Sequence, residues 1–453
     1  MSARLPRTVT SFLRAFHEHG FECYLVGGAV RNLMLGQKPY DFDFATNATP
    51  AQVMRAFRRV VPTGVQHGTV TVLHRGASFE VTTYRTESDY SDSRHPDRVD
   101  FVGDINEDLR RRDFTMNAMA FDPDQGVFLD PHGGERDIRE RVVRAIGDPS
   151  DRFREDALRM LRAVRFATRL EFTIDGPTLE AITAGADRIR SVSAERVRDE
   201  LTKLLEGERP SYGMRVMRDT SLLSRVLPEL AEGVDVDQRG NHRFDVFEHS
   251  IRACDAAPGD NMVVRLAALL HDVGKPRALE EDDDGTRRFH GHDKLSAQMS
   301  EELLRRLKFP NRTIAAVVHL VRHHMFNYTP EWSDAAVRRL IARVGKDAVA
   351  DLIALRAADG AAVTGEKVDT RPLGRFAERV RGEMESQRAL TVRDLAVSGH
   401  DLMDAGIPRG PLLGVVLETL LEAVIEDPAQ NTRDRLIEIA KRFYDERLRE
   451  GES

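Results

Sequence analysis

The chain has little cysteine, no long apolar run and no strong excess of charge. Its two cysteines, Cys23 and Cys254, lie far apart and without metal-site spacing. That excludes a disulfide scaffold and reads as two reduced thiols of a cytoplasmic protein. No stretch approaches the ~20 apolar residues of a membrane span, and the N-terminus has scattered charge where a signal peptide has an apolar core. The formal net charge is -7, which argues against a chain coated for non-specific nucleic-acid binding but leaves room for a local basic groove. Internal repeats and low-complexity segments are also missing. What is present suits about three domains: 453 residues, 41% hydrophobic and 31% charged, with the charges mixed in sign as on long helices with solvated faces.

The stretch Tyr24 to Thr46, YLVGGAVRNLMLGQKPYDFDFAT, organises the rest. Tyr24 to Val26 reads as a buried strand, Ala29 to Leu35 as a helix, and Tyr40 to Ala45 as a second strand. Residues two apart on a strand share a face, so Asp41 and Asp43 point the same way. Two carboxylates forced together need a cation between them, most simply Mg2+. Gly27 and Gly28, opening the helix, let backbone N–H groups approach a phosphate. Arg31, one turn in, can add a bidentate contact. Together these features make a place for a nucleoside triphosphate and its metal.

Around this stretch, residues 5 to 20 read as an amphipathic helix with Val9, Phe12, Leu13 and Phe16 inward. Pro50 to Arg59 reads as a helix capped by Thr49. Thr69 to Leu73 and Phe79 to Arg85 read as strands joined by a turn at Arg75-Gly76. The result is a sheet with helices on one side. Glu80 reads as a surface glutamate in preference to a third carboxylate near the metal. Residues 86 to 106 read as a polar loop. In EDLRRRDFTMNAMA, Phe114, Met116, Ala118 and Met119 supply packing and hold Arg112 and Asp113 at the edge. Asn117 reads as a local brace. A guanidinium such as that of Arg112 suits a triphosphate or ribose.

FREDALRMLRAVRFATRL, from Phe153, reads as one strong helix. Asp156, Arg159, Arg162 and Arg165 stand three apart and so form a slowly drifting row. On its own such a row is a solvated ridge. Glu195 and Arg196, at a later helix start, read as structural. Farther on, histidines recur: His249 in VFEHSIRA, His271 and Asp272 in LAALLHDVGKP, His292 in RFHGHDKLSA, His323 and His324 in LVRHHMFN, and Asp359 in LRAADG. Imidazole and carboxylate suit Mn2+, Ni2+, Fe2+ or Zn2+, and such a metal activates water. From about Thr391 two amphipathic helices flank the Ile407-Pro408-Arg409-Gly410-Pro411 turn, where Arg409 suits a phosphate.

The Gly-Gly helix, the D-x-D strand, the R-R-D-x-T-x-N-A segment and the E-D-x-x-R-x-x-R row resemble the bacterial and eukaryotic class of CCA-adding enzymes (tRNA nucleotidyltransferases). Bacterial poly(A) polymerases share that core. Asn32 departs from the Asp usual in that family and is expected to change capping or a nearby hydrogen bond. The H…HD…H…H…D order resembles the HD superfamily of metal-dependent phosphohydrolases.

These resemblances imply an α+β protein with four parts: a polymerase-beta-like nucleotidyltransferase head (1–147), an all-α neck (148–232), an HD domain (233–365) and a tRNA-binding tail (366–453). They imply that Asp41 and Asp43 hold two Mg2+, that Gly28 and Arg31 cradle phosphates and that Arg112 contacts the incoming nucleotide. Asp156 and Arg159 then read the Watson–Crick edge of CTP or ATP, braced by Arg162 and Arg165. In the HD domain, His249, His271, Asp272 and Asp359 form a first metal shell. His292 and His324 (or His323) serve a second metal or the phosphate, and Lys275 assists with phosphate. The implied partners are the tRNA 3′ end, CTP and ATP, for a monomer or homodimer with no membrane contact.

The loop at 86 to 106 lies where that family has a flexible loop that helps the switch from C to A addition, which favours full CCA addition. One rival is a poly(A) polymerase, whose bacterial members usually carry a basic motif where this chain reads VVPTGVQHGTVTVL. Others are a partial enzyme adding only CC or A, and an HD phosphohydrolase with a nucleotide-binding head. The intact Asp41/Asp43 and Asp156/Arg159 pairs count against the last.

Overall fold

The computed structural model describes residues 5–39, 41–88, 98–238, 243–283, 286–364, 371–386 and 389–451. The chain divides into two compact units, one of Met1–Ala231 with Arg306–Phe309, the other of Glu232–Arg305 with Pro310–Ser453.

The first unit is built on a mixed sheet. Its strands are β1 (Cys23–Val26), β2 (Asp43–Thr46), β3 (Val60–Gly64), β4 (Thr69–His74) and β5 (Ala77–Thr83). A separate hairpin, β6 (Arg85–Ser88) and β7 (Arg98–Phe101), follows, and β8 (Ala120–Asp122) and β9 (Val127–Leu129) complete the sheet. The order across the sheet is β3-β4-β5-β2-β1-β8-β9. β2 runs antiparallel to β1 and parallel to β5, so Asp43 lies opposite both Val26 and Glu80. The helix Arg7–Glu18 buries Phe12 against the sheet, with ring centroids 4.6 Å from Phe79 and 4.9 Å from Phe44. These offset and edge contacts add to the apolar burial. Arg75 and Gly76 both have positive φ (49° and 82°), as a two-residue hairpin turn requires. Pro50–Ala56 opens on a capping box between Thr49 and Gln52.

Three expectations are corrected. β2 starts at Asp43, so Asp41 sits just before the strand, and Tyr40 lies outside the described residues. The reason is that β1 ends at Val26 and the chain turns at Gly27 (φ 67°), which leaves Asp41 no strand partner. That positive φ favours glycine at position 27. The polar segment 86–106 is not all loop, because β6 pairs with β7 in register Arg85↔Phe101. Residues 89–97 of it lie outside the described residues. The helix from Phe153 is two helices, Pro149–Glu155 and Leu158–Leu170. Asp156 falls in the break with extended φ and ψ (-145°, 105°), and its Oδ1 accepts a hydrogen bond from the Leu158 N–H at 3.0 Å.

The second unit is helical. Val246–Ala256, Met262–Leu270, Asn311–His323 and Val349–Thr364 pack together. Gly274 passes so close to the helix His292–Arg306 that a Cβ there would meet Ser296 N at 2.6 Å and His292 O at 2.9 Å. Toward the C-terminus, Pro411–Glu426 and Arg433–Gly451 enclose a core that includes Leu402, Leu420 and Leu436. Arg409 is exposed just before Pro411. No helix among the described residues is long and apolar enough to cross a membrane.

Candidate active site and histidine cluster

A cleft of about 700 Å³ opens in the first unit between the sheet and the helix Leu158–Leu170. Asp41, Asp43 and Glu80 line one wall. Loss of solvent within the cleft raises Asp43 above its ordinary range, Arg112 opposes that rise and Asp41 adds to it. Glu80 is raised by desolvation and by Asp43. Three carboxylates gathered on one wall, two of which, Asp43 and Glu80, resist ionising, are the chemistry of a site for a hard cation. Glu80 is exposed, as the sequence suggested, yet its register beside Asp43 makes it a third acidic neighbour. Parallel pairing of β2 with β5 is what brings it there, and no local pattern shows that pairing.

The second wall carries Gly28, Arg31, Arg112 and Asn117. A Cβ on Gly27 would stand 3.2 Å from Arg112 Nη1, so the glycine lets that guanidinium lie against the turn. Buried Asp108 holds Arg111 (2.8 Å) and Arg112 (3.1 Å). Asn117 braces as expected: its Oδ1 accepts from Arg31 Nη1 at 2.8 Å, and its Nδ2 donates to Asp113 Oδ1 at 3.0 Å. Asn32 also bonds Arg31, its Oδ1 accepting from Nε (3.2 Å) and Nη2 (3.0 Å).

The third wall is the arginine row. Arg162 donates twice to Asp113 Oδ2, at 2.9 and 2.6 Å, and Arg165 pairs with buried Glu200 at 2.5 Å. Arg159 pairs with Glu155 at 2.5 Å and donates to the carbonyls of Arg152 and Arg111, both at 3.2 Å. Asp156 is clamped by Arg196, at 3.2 and 2.7 Å. Asp156 and Arg159 therefore line the same cleft, each held by its own partner. Arg196, read from sequence as structural, lines the cleft too. Three polar anchors that sequence reasoning did not single out, Asp108, Glu155 and Glu200, are partners of the arginines it did identify.

In the second unit the predicted ligands converge. His249 Nε2 lies 3.1 Å from Asp359 Oδ1, 3.2 Å from His271 Nε2 and 3.5 Å from Asp272 Oδ2. His271 Nε2 lies 3.2 Å from Asp272 Oδ2 and 3.6 Å from Asp359 Oδ1. A tetrahedral metal with ligands at about 2.0–2.1 Å has ligand–ligand edges of about 3.3–3.4 Å, so the His249, His271 and Asp272 atoms fit such an ion, with Asp359 Oδ1 beside both imidazoles. The other oxygen of Asp272 faces His292 (3.4 Å) and His324 (3.8 Å), giving a second triad that shares the aspartate. His271, His292 and His324 each set Nδ1 2.7–2.8 Å from a backbone carbonyl, which turns Nε2 inward as a metal ligand requires. Burial lowers His292, and it holds His324 down to about 4, so those imidazoles are neutral. His324, not His323, is the member of the cluster: His323 packs on His319 instead. Lys275 reaches Asp272 at 2.7 Å and Gln238 at 2.6 Å.

The sheet with its acidic pair and the helical unit with its histidines define a nucleotidyltransferase joined to an HD domain. Residues 23–144 match the Poly A polymerase head domain, 171–233 the probable RNA and SrmB- binding site of polymerase A, and 239–393 the HD domain. A CCA-adding enzyme of Levilactobacillus brevis is 35% identical over 428 residues, 94% of this chain and 95% of that one. An A-adding tRNA nucleotidyltransferase of Deinococcus radiodurans is 36% identical over 416 residues, 88% and 90% of the two chains. The crystal structure of the Bacillus stearothermophilus CCA-adding enzyme in complex with CTP is similar, with a TM-score of 0.75 and 30% identity over 99% of both chains. This chain belongs to the family of CCA-adding tRNA nucleotidyltransferases. Its chemistry accordingly involves divalent metal.

Proposed function

We propose that the cleft adds CCA to the 3′ end of tRNA, taking CTP twice and then ATP, with side chains in place of a template. The observation that carries this reading is the single cleft that holds Asp41 and Asp43 on one wall and Asp156 and Arg159 on another. The tRNA 3′-oxygen bonds to the α-phosphorus, the bond to the β-phosphate oxygen breaks, pyrophosphate leaves and the hydroxyl proton passes to solvent. Two Mg2+, when bound, lower the effective pKa of the 3′-OH and neutralise the triphosphate and departing pyrophosphate. Asp41 and Asp43 hold them, with Glu80 as an acidic neighbour. Gly28 and Arg31 face the phosphates, and Arg112 faces the sugar side. Asp156 accepts from, and Arg159 donates to, the base edge, and Arg162 and Arg165 brace that pair.

The work divides among a head (1–147), a neck (148–232), an HD domain (233–365) and a tail (366–453) that contacts tRNA, in the cytoplasm. The HD domain binds a transition metal through His249, His271, Asp272 and Asp359, with His292 and His324 as a second triad. Hydrolysis of phosphomonoesters or 2′,3′-cyclic phosphates is the second reading, favoured by that complete ligand set.

Substituting Asp41→Ala tests the assignment. Nucleotide incorporation should fall by more than about a hundredfold, since even outer partners of metal ligands cost 10–100-fold. Any phosphohydrolase activity should be unchanged. Incorporation at the wild-type rate would refute the metal role of Asp41.

A further inference from the structure

Phe166 meets three guanidiniums at once. Arg165 Cζ stands 4.0 Å from its ring centre, Arg31 Cζ 5.0 Å and Arg162 Cζ 5.5 Å. Arg162 and Arg165 share the helix of Phe166, whereas Arg31 comes from Gly28–Met34, behind the Gly-Gly turn. Fully buried Phe114 braces the ring edge-on, at 5.8 Å and 83°. Phe166 itself is 6% exposed, so the ring has little freedom to swing.

Like charges gathered this closely repel. Arg31 is lowered to about 10, first by burial and then by Arg165, with Arg162 adding to the drop. Asp113 compensates Arg162, and Glu200 compensates Arg165. Among the described residues Arg31 pairs with no carboxylate; its hydrogen bonds go to the amide oxygens of Asn32 and Asn117. An aromatic face attracts a cation without neutralising it. The ring therefore holds three cations together and leaves their surplus charge for an incoming anion. The departure at Asn32 sharpens this, because it leaves Arg31 beside an amide.

We propose that Phe166 is a positioning residue for the incoming nucleotide: its ring fixes Arg31, on the phosphate side of the cleft, relative to Arg162 and Arg165, on the base side. The proposal rests on the reading that the cleft takes a nucleoside triphosphate. Weakening the ring's attraction loosens both sides together, so triphosphate affinity and base choice suffer jointly. A ring that serves only as apolar filling would not produce that link.

Fluorinated phenylalanines at position 166 test this, because each added fluorine weakens the ring's attraction for cations while keeping its shape. KM for CTP, kcat, and the preference for CTP over UTP are measured for one, two and three fluorines, beside Phe166→Leu. KM should rise stepwise to roughly tenfold, with falling discrimination against UTP and an unchanged melting temperature. The leucine variant should do at least as much harm. A flat series with CTP incorporation intact would overturn the role of Phe166 alone, whatever the leucine variant does. If the unsubstituted protein neither binds nor incorporates CTP, the triphosphate reading itself fails.

Discussion

Arg196 grips the Asp156 carboxylate with both terminal nitrogens, Nη1 to Oδ1 at 3.2 Å and Nη2 to Oδ2 at 2.7 Å. The fork fixes the plane of that carboxylate, and a flexible ammonium does not reproduce it. Removing the clamp with Arg196→Ala should lower kcat/KM for CTP by roughly 10- to 100-fold, the weight of a charge-assisted contact, and admit more UTP. Arg196→Lys should recover little of the selectivity. Steady-state incorporation of CTP and UTP by the two variants is the check; unchanged selectivity in both would show that Asp156 needs no clamp.

Asp113 ties the head to the arginine row and should leave a signature in acid. Burial pushes its carboxyl up, but Arg162 and Asn117, with Arg159 farther off, outweigh that and hold it at about 2. A folded value below the ordinary 3.8 means the pairing stabilises in full above about pH 4 and is lost as pH falls through about 2. The drop corresponds to about 2 kcal/mol. Asp113→Asn, which leaves Arg162 without its partner carboxylate, should cost about 3 kcal/mol at neutral pH. Urea denaturation of both proteins from pH 7 to pH 2 should show a constant gap that closes only at the acid end.

How much of this could be read without coordinates differs from element to element. The Gly-Gly turn was legible because glycine's backbone freedom is a local property. The acidic pair was legible as two nearby carboxylates, but not by strand alternation, since Asp41 precedes β2. The helix break at Asp156 was not. The residues from Phe153 onward favour one continuous helix, yet the chain breaks at Asp156, whose carboxylate accepts from the Leu158 N–H and is held by Arg196, 40 positions away. Glu80 was undervalued because its place beside Asp43 depends on parallel strand pairing. The histidine ligands were legible as residue types in order. Their sharing of Asp272 between two triads belongs to the packing of separate helices.

The histidine cluster predicts two metal ions in the second unit. Protein stripped with a chelator and dialysed against Ni2+ in excess Mg2+ should bind two Ni2+ per chain. Asp272→Ala should remove both, His249→Ala one, and Asp41→Ala neither. Saturation at a hundred times Kd should stabilise that unit by about 2.7 kcal/mol. Binding should weaken as pH falls, because protons compete with the metal for imidazole. A Ni2+ count untouched by Asp272→Ala would contradict the site.

Nucleotide incorporation into a tRNA transcript ending at the discriminator base tests the central claim most directly. With Mg2+ and CTP alone, the account predicts two added C and then a stop; with CTP and ATP together, one further A. A long A tail from ATP alone would make the protein a poly(A) polymerase. No C from CTP, with a single A placed on a transcript already ending in CC, would contradict CCA addition and place the chain with A-adding relatives such as that of Deinococcus radiodurans.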